Sequence, residues 1–564
     1  NTKSGLEMPW SGNLSLTAAS FDSGELGGEF GGHTEKVGIY LSASGSRSRR
    51  YLDPPEIANF HNTGSTGRLF TKFDWNVGPK DKLRFNLSTN GSTVDVANRV
   101  DQQLAGQRVN QELRDDSQSI GWNHIFNERA VSDVVLYRRS STARLLDPNF
   151  TGTPYYAEQS RRQRSEGVRA SISYSWNRQD LKAGFQVVRT PLRERFTLAA
   201  TDPAILADPL NPASQFTVAN PFRFNQRLDG LEASFFVQDR VTLFDRRTID
   251  AGIRFDHYDM VVDDSAISPR IGLAYHFKQT GTVLRGAYNR LFQTPPTENL
   301  LLSSSPAGGV FSLLATTSVR AVPAERQNFY EFGVQQQLGP YLRLDIARYI
   351  KNIKNFSDKD QFLDSPIIFP VAIAQGDIRG VEIRLDLIPY RGWTAFVSFA
   401  NSRATGTTPL AGGLFLDEAS SDLLVPGNQF AADHDQRNTG QFGVTYSHKS
   451  GAWFNFSGRH DSGVPADVGP ALLPTYDPRI AASLDAVRGR VKPRTLLDIA
   501  TGYEFMREKA MPVSVQFSVQ NLTNEFYLYN FESVFSGTHI GRPREISGRI
   551  VFHFKGKGRT GSGD

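Results

Sequence analysis

Apolar and polar residues alternate with a period of two along most of this chain, and this alternation constrains its fold more than any other feature. Within residues 380–389 the aliphatic positions are Val381, Ile383, Leu385 and Leu387. The positions between them are Glu382, Arg384 and Asp386. Because successive side chains of a β-strand point to opposite faces, the pattern predicts a strand with one apolar face and one wet face.

The same alternation recurs along the chain and predicts 22 strands. Many of them are longer than the roughly 5–6 residues usual for strands of soluble sheets. We place them near residues 11–22, 23–33, 37–48, 67–76, 81–92, 115–126, 130–145, 165–176, 181–197, 229–243, 248–260, 267–278, 282–292, 327–338, 341–356, 376–389, 393–405, 437–448, 452–463, 494–506, 511–522 and 544–555.

The connections between these strands are alternately short and long after the first hairpin. Short turns fall at 127–129, 177–180, 339–340, 390–392 and 449–451. Long loops fall near 49–66, 93–114, 146–164, 198–228, 293–326, 357–375, 406–436, 464–493 and 523–543, with a moderate connection at 257–266. Short connections on one rim and long ones on the other are typical of an outer-membrane barrel with periplasmic turns and extracellular loops. The sequence therefore predicts an all-β fold, a 22-stranded antiparallel transmembrane β-barrel.

Aromatic residues cluster near the short turns, which supports a membrane location. Several strands end in aromatic residues there: Phe73, Trp75, Tyr174, Trp176, Tyr275, Phe277, Tyr503, Phe505, Phe552 and Phe554. Tyrosine and tryptophan favour the headgroup level of a bilayer, where the ring and the polar tip are both satisfied. No window of 18 or more apolar residues is present, so a transmembrane helix is not expected. A length of 564 residues would otherwise suggest three or four soluble domains.

The composition excludes several classes of function. The chain has no cysteine, which excludes disulfide frameworks, cysteine-ligated metals and cysteine nucleophiles, and suits an exported protein. A net charge of +5 spread over 564 residues is not typical of a nucleic-acid-binding protein. We find neither a P-loop nor an HExxH motif, and we expect no catalytic residues, no metal and no cofactor.

Two local patterns resemble known site motifs but lack the structural context that those sites require. Gly556, Gly558 and Gly561 match G-x-G-x-x-G, but the chain ends three residues later and leaves no room for the helix that a dinucleotide site requires. Asp433, His434 and Asp435 could offer metal ligands, although one such cluster in a polar loop is more often solvated surface. We expect these three residues to be solvated.

Six segments together resemble TonB-dependent outer-membrane receptors. They are residues 1–5, 268–275, 284–296, 326–333, 520–527 and 541–544, the last leading to the aromatic Phe554. The resemblance spans the whole chain in the family's order. It identifies residues 1–10 as the seam between plug and barrel, 11–555 as the barrel and 556–564 as a short polar tail.

The family resemblance implies a function and a set of partners. It implies a receptor of the bacterial outer membrane that imports a scarce nutrient, often a ferric siderophore or cobalamin. The expected partners are a plug domain of the same full-length protein, the TonB complex acting through that plug, the nutrient ligand, and outer-membrane lipid and lipopolysaccharide. We expect the family's plug to be missing from these residues, and the sequence continues past Phe554, where the family usually ends.

Two sets of residues are candidates for functional contacts. The lumen-facing set, which could guide a solute or hold a plug, is Arg84, Glu382, Arg384, Asp386, Asp498 and Arg549. The interior of a wide barrel is filled with water, so charged residues can face it without having a functional role. The substrate-binding set, aromatic and cationic residues of the long loops, is Tyr155, Tyr156, Arg223, Arg320, Tyr527, Tyr529 and His539. Each of these could instead hold its own loop together.

Two alternatives to a nutrient receptor are open from the residues alone. A plugless, porin-like diffusion channel shares the strand pattern but needs a loop folded inward as a constriction. An outer-membrane enzyme would need a catalytic constellation, which we do not find.

Overall fold

Strands account for most of the chain in this computed structural model, which describes residues 3–311, 320–362, 365–413, 425–506, 511–533 and 535–555. The strands are β1 (Ser11–Ala19), β2 (Ser23–His33), β3 (Val37–Ser48), β4 (Gly64–Asn76), β5 (Asp81–Asp95), β6 (Asn110–Asn127), β7 (Ala130–Leu146), β8 (Tyr155–Trp176), β9 (Gln179–Ala200), β10 (Phe222–Leu243), β11 (Arg247–Asp259), β12 (Asp263–Phe277), β13 (Thr282–Gln293), β14 (Glu325–Leu338), β15 (Leu342–Gln361), β16 (Ile368–Tyr390), β17 (Trp393–Gly412), β18 (Gln429–Ala431), β19 (Asn438–Ser447), β20 (Ala452–Asp461), β21 (Leu484–Asp485), β22 (Arg490–Val491), β23 (Arg494–Phe505), β24 (Val513–Gln520), β25 (Leu528–Asn530), β26 (His539–Ile540) and β27 (Glu545–Lys555).

Twenty-two of these strands form one closed antiparallel barrel, which confirms the predicted fold class. Each wall strand pairs with the next along the chain, and β1 closes the circle by pairing with β27 from Ser11 opposite Lys555 to Ala19 opposite Ser547. Closure removes the two free edges that an open sheet would have, and each wall strand is hydrogen-bonded to a neighbour on both sides, as a hydrocarbon environment requires. The five short strands β18, β21, β22, β25 and β26 lie in long connections.

The helical segments are short and also lie outside the wall strands. They are α1 (Val100–Leu104), α2 (Pro203–Ala207), α3 (Leu300–Ser303) and α4 (Pro478–Ala482), with 3-10 turns at Gly5–Glu7, Pro212–Gln215, Pro306–Phe311 and Pro470–Thr475. None of the helices in the described parts of the chain has the length and apolar character needed to cross a membrane.

The exposed side chains on the outer wall form an apolar band. On β17, for example, Trp393, Val397 and Phe399 are each about half exposed, at 45%, 50% and 45%. The predicted aromatic residues near the short turns are exposed in the same way, among them Trp176 at 50% and Phe505 at 43%. Exposed apolar surface on this scale is unfavourable in water and matches a lipid-facing wall.

Several strands are longer than the alternation predicted, mainly at the end away from the short turns. β8 begins at Tyr155 where we expected about 165, β10 begins at Phe222 where we expected about 229, and β16 begins at Ile368 where we expected about 376. Tyr155, Tyr156 and Arg223 therefore lie in strands, and their assignment to long loops is wrong. Beyond the apolar band the outer face meets water, so the apolar-outward pattern that defines a membrane strand ends before the strand does.

Candidate luminal and extracellular sites

The six residues predicted to face the lumen occupy wall positions opposite the apolar band. They are Arg84, Glu382, Arg384, Asp386, Asp498 and Arg549. Arg84 reaches past β6 to form an ion pair with Asp133. Asp498 accepts a hydrogen bond from the backbone N–H of Asn521 at 2.8 Å. Water in a wide lumen can solvate such groups, so their role in guiding a solute or holding a plug stays a prediction.

A row of paired charges crosses the inner wall from β13 to β16. We call it the luminal charge row, and it consists of Arg285, Glu331, Arg343, Asp345, Arg384 and Asp386. The Arg285 guanidinium donates two hydrogen bonds to Asp345, at 2.9 and 2.8 Å, and one to Glu331 at 3.2 Å. Asp386 accepts from Arg343 at 3.1 Å and from Arg384 at 2.9 Å.

The luminal charge row balances three arginines against three carboxylates, so it has no net charge with which to attract an ion. Its forked arginine–carboxylate contacts hold the side chains in fixed positions. Arg384 also lies over the ring of Phe396, 4.4 Å from the ring centre. Sequence reasoning named Arg384 and Asp386 and missed the other four. Their inward alternation was a usable signal, but their pairing depends on strand register.

Residues near the start of the chain lie on the inner wall of β2 to β4. The Ser4 hydroxyl donates to Asp74 at 2.6 Å, and the Lys3 ammonium contacts Glu29 at 2.5 Å. Asp74 is fully buried and also lies 3.6 Å from the Lys82 ammonium. A Cβ added to Gly38 would meet the backbone nitrogen of Leu6 at 2.3 Å. The close approach of the segment to β3 therefore depends on Gly38 having no side chain.

We expect Gly38→Ala to displace the segment around Leu6 from the inner wall, because the added methyl group overlaps the Leu6 backbone. Hydrogen exchange of the backbone amides of residues 3–8 should rise about tenfold or more, which corresponds to a local loss of roughly 1.4 kcal/mol. Gly67→Ala on β4 is the matched control, since nothing lies within 4 Å of its added Cβ. Unchanged exchange in Gly38→Ala would show that the segment is held by other contacts.

Above the apolar band, the inward face of the long strands becomes the apolar one. On β9, Leu192, Phe196 and Leu198 are buried at 0%, 3% and 0% exposure. Arg193 and Arg195, which alternate with them, are exposed. The reversal follows from the surroundings, because at this height the inner face is packed against other segments. We call the buried set Leu192, Phe196, Leu198, Leu300, Phe362 and Phe369 the mouth cluster.

The connection between β13 and β14 joins two separated parts of the wall through the mouth cluster. Glu194 on β9 accepts hydrogen bonds from the backbone N–H groups of Leu301 and Leu302, at 3.1 and 3.0 Å. On the other side, Asn299 donates to the carbonyl of Ile368 on β16 at 2.8 Å. The α3 segment is thus tied to strands that are far apart along the chain.

Four of the predicted substrate-binding residues lie in this region of the barrel mouth. Tyr155 is buried at 7% exposure within the apolar residues around the mouth cluster, and Tyr156 is buried at 4% with its ring 4.6 Å from that of Phe150. Arg223 on β10 and Arg320 are exposed. The two tyrosines therefore pack within the protein, while the two arginines face solvent.

Of the other three predicted residues, Tyr527 and Tyr529 lie against Arg494, and His539 lies on β26, which pairs with β25. The Arg494 guanidinium is 5.0 Å from the ring centres of both Tyr527 and Tyr529, and it donates to Asp461 at 3.0 Å. Tyr527 donates to the Tyr529 hydroxyl at 3.2 Å, and burial raises the pKa of Tyr527. His539 contacts Asn530 at 2.8 Å. Sequence reasoning did not single out Arg494, whose role appears only when the last long loop folds over it.

The structure therefore divides the predicted binding residues between two places. Tyr155 belongs to the apolar core around α3, whereas Leu528, which follows Tyr527, belongs to a second core that contains Phe531 and Ile540. The second core joins three long connections, since Ile540 donates from its backbone to the carbonyl of Pro54 at 2.9 Å. Folding brings Tyr527, Tyr529 and His539 to one loop cluster and leaves the earlier residues at another.

The expectation that Asp433 and Asp435 are solvated surface is wrong. Their exposures are 3% and 1%. Asp435 forms ion pairs with Arg490 and, at 2.9 Å, with Arg437. Burial raises the pKa of Asp433, and a hydrogen bond from the Ser536 hydroxyl at 3.0 Å acts in the opposite direction. In the described residues, no group of three or more histidine and acidic side chains is placed to hold a metal ion. The G-x-G-x-x-G glycines lie outside the described residues.

Comparisons with known proteins agree on the architecture. The family model described as "TonB dependent receptor-like, beta-barrel" matches residues 41–522. The structure of the copper transporter OprC is 14% identical with a TM-score of 0.70, covering 97% of this chain and 81% of that one. The FrpB iron transporter from Neisseria meningitidis is 14% identical with a TM-score of 0.69, covering 98% and 83%. The ferric-catecholate import receptor Fiu from E. coli K12 is 12% identical with a TM-score of 0.67, covering 97% and 82%. No curated protein matches the chain.

Proposed function

The chain belongs to the TonB-dependent receptor β-barrel family, and on that basis we propose that it forms the outer-membrane pathway by which a bacterium takes up a scarce nutrient. The observation that carries the proposal is the family match over residues 41–522 of a closed 22-stranded barrel. Proteins of similar structure include a copper transporter, a ferric-catecholate import receptor and a ferric citrate transporter. We propose the same chemical class here, a metal complex such as a ferric siderophore or cobalamin.

Uptake through this barrel would need a gate and a source of energy. Barrels of 16–18 strands already leave an aqueous channel, and a 22-stranded barrel is wider. We propose that a plug domain of the full-length protein fills the lumen and that the TonB complex moves it. Residues 1–10 would be the seam between plug and barrel. The contacts of Lys3 and Ser4 with Glu29 and Asp74 on the inner wall support this position.

We propose that the nutrient is recognised by the exposed and half-buried members of the predicted set. Tyr529 beside Arg494 and His539 on the neighbouring short strand would contact the ligand, and Arg320 would attract an anionic complex at the mouth. Arg223 lies on the outer face of β10, on the same side as Phe235, and would add positive charge around the mouth. The buried rings of Tyr155, Tyr156 and Tyr527 would hold these surfaces in position. Arginine and aromatic groups at one mouth suit a flat, anionic metal complex.

An uptake assay tests the nutrient proposal. With the full-length gene product in a host that lacks its own siderophore receptors, we expect a radiolabelled ferric siderophore to accumulate only when TonB is present. The Tyr529→Ala/His539→Ala variant should bind the complex about tenfold more weakly, which corresponds to a loss of roughly 1.4 kcal/mol of binding free energy. Tyr330→Ala, which removes an exposed ring of the outer wall, is the control. Accumulation that is equal with and without TonB would contradict energised transport.

Electrical recording separates the receptor from the passive channel. We expect residues 1–564 in a planar bilayer to give a large, erratic conductance. Fusing a plug domain ahead of residue 1 should abolish that conductance, because the plug fills the lumen. A small, stable and ion-selective conductance that the fusion does not change would instead favour a diffusion channel.

A further inference from the structure

The short turns that follow β2 and every second wall strand after it form a ring at one end of the barrel. Nine of them lie wholly within the described residues, at 34–36, 77–80, 128–129, 177–178, 244–246, 278–281, 339–341, 391–392 and 448–451. Eight of the nine contain a single lysine or arginine, and three contain a single carboxylate. We call these nine segments the rim turns.

The rim turns carry the whole positive excess of the protein. Their eight cations exceed their three carboxylates by five, and the formal net charge of all 564 residues is also +5. The other residues are balanced, because they hold 55 of the 63 basic and 55 of the 58 acidic side chains. Net charge governs how a protein associates with charged surfaces, and in this protein it is concentrated at one end of the barrel.

The cations of the rim turns face solvent. All eight are exposed. For seven of them, all but Lys449, no ion pair with a carboxylate exists among the described residues. Arg178 lies over the ring of Phe244 on the next rim turn, 5.8 Å from the ring centre, and Arg391 lies over Tyr390 at 5.2 Å. These ring contacts keep both guanidinium groups at the level of the turns.

Backbone hydrogen bonds fix the rim turns in place. Five of the cationic residues accept, through their own carbonyl oxygen, a hydrogen bond from the strand of the next hairpin. The N···O distances are 2.8, 2.8, 2.9, 2.9 and 2.7 Å for Lys36, Lys80, Arg129, Arg178 and Arg246. The backbone of the ring is therefore already ordered, so a partner does not have to order it on binding.

The spacing of the rim turns suits an extended anion better than a small one. Successive turns are two strands apart, and neighbouring strands are about 4.8 Å apart. At a strand tilt of roughly 40°, successive turns therefore lie about 12 Å apart around the rim. One phosphate or carboxylate is too small to contact several turns at once. A matching partner presents many negative groups over a wide area.

The rim turns lie beyond the aromatic residues that mark the headgroup level of the membrane. Trp176 immediately precedes the turn at 177–178, and Tyr390 immediately precedes the turn at 391–392. Tyrosine and tryptophan favour the headgroup level. In the proposed orientation the short turns are periplasmic, so their cations face the water beneath the membrane.

We propose that the rim turns bind an extended polymer with free carboxylates that lies beneath the outer membrane, the chemistry of a peptidoglycan layer. Each exposed charge contact is weak, and a fixed ring of them engages a polyvalent partner at several points at once. The inference rests on the proposed membrane location and orientation of the barrel and does not depend on which nutrient it carries.

Co-sedimentation with purified peptidoglycan sacculi tests the proposal. The chain, reconstituted in phosphatidylcholine nanodiscs, is mixed with native sacculi or with sacculi whose carboxyl groups have been converted to amides. We expect wild type to sediment with native sacculi only, and less so as salt screens the charges. The Arg129→Gln/Arg178→Gln/Arg246→Gln/Arg391→Gln variant should bind at least about tenfold more weakly, since four exposed charge contacts are lost.

The matched control removes four exposed arginines from the opposite half of the wall. It is Arg162→Gln/Arg193→Gln/Arg195→Gln/Arg403→Gln, which lowers the net charge by the same amount as the rim variant. We expect it to bind sacculi as wild type does. Heat-modifiable migration on a gel verifies that each barrel is folded.

Four results would overturn the proposal. Wild type that stays in solution would show that the rim turns do not bind the polymer. An equal loss in both variants would show that total charge, and not its position, governs binding. Equal binding of native and amidated sacculi would show that carboxylates are not recognised. Release by phosphatidylglycerol vesicles, but not by phosphatidylcholine vesicles, would make the rim turns a site for lipid headgroups. None of these results depends on nutrient transport, so the two proposals can fail separately.

Discussion

Arginine in place of Val397 is expected to destabilise the folded barrel by about 2–4 kcal/mol, whereas arginine in place of Ala400 on the same strand should cost little. Val397 is half exposed on the outer wall, four residues above the rim at Trp393, and thus near the middle of the apolar band. A cationic side chain facing lipid at the bilayer midplane carries a penalty of this size. Ala400 faces the wet interior, directly opposite Glu382, so a new guanidinium there would be solvated and could pair with that carboxylate.

Reversible unfolding of the barrel in phospholipid vesicles, by guanidinium titration, measures both variants. Both variants introduce an arginine on the same strand, and the two positions face opposite sides of the wall. Equal destabilisation by both variants would contradict the assignment of the two faces. A loss for Ala400→Arg alone would mean that the wall is inverted.

Removal of the Phe196 ring should lower the stability of the mouth cluster by about 3–5 kcal/mol and release the connection between β13 and β14. The ring packs edge-on against Phe362 and Phe369, with centres 5.8 and 5.9 Å away, and is 3% exposed. Phe196→Ala leaves a cavity between β9 and β16 that the wall cannot close, because both strands are fixed in the barrel. Limited proteolysis and hydrogen exchange at Leu301 and Leu302 should show loss of protection, while the barrel itself stays folded.

Phe185→Ala is the control for this effect. Phe185 lies on the same strand but faces outward and is 37% exposed, so its loss opens no cavity in the mouth. If Phe196→Ala left the exchange of Leu301 and Leu302 at the wild-type rate, the hydrogen bonds from Glu194 would be holding the connection without help from the apolar cluster.

The strands within the apolar band could be predicted from the sequence, and those beyond it could not. The observed β2 and β3 have the predicted bounds, 23–33 and 37–48. By contrast, β8 and β16 begin about eight to ten residues earlier than predicted. In these extensions water lies outside and packed loops lie inside, so the alternation either reverses, as at Leu192 and Arg193, or becomes polar on both faces. A search for strands with an apolar outer face and a wet inner face therefore misses these extensions.

The candidate site was predictable by residue type but not by arrangement. Arg384 and Asp386 stand two apart on one strand, and their shared face follows from the alternation alone. Arg343, which bonds to Asp386, lies 43 positions from it, and Arg285 lies 60 positions from its partner Asp345. The sequence also did not indicate that Tyr527 would be buried under Arg494, or that Asp435 would be buried against Arg490. Each of these contacts arises only when separate connections pack on one another.

The sequence by itself determined the number of wall strands, their alternation of faces and their closure into a barrel, because a period of two is a local property and a bilayer allows long amphipathic strands only one closed solution. The tertiary structure alone decided which charges pair on the inner wall, which loops form the mouth, and that Arg379 stands opposite Arg403 on the outer wall. These features depend on register between strands and on packing between distant loops, and neither is encoded in the spacing of residues along a single strand.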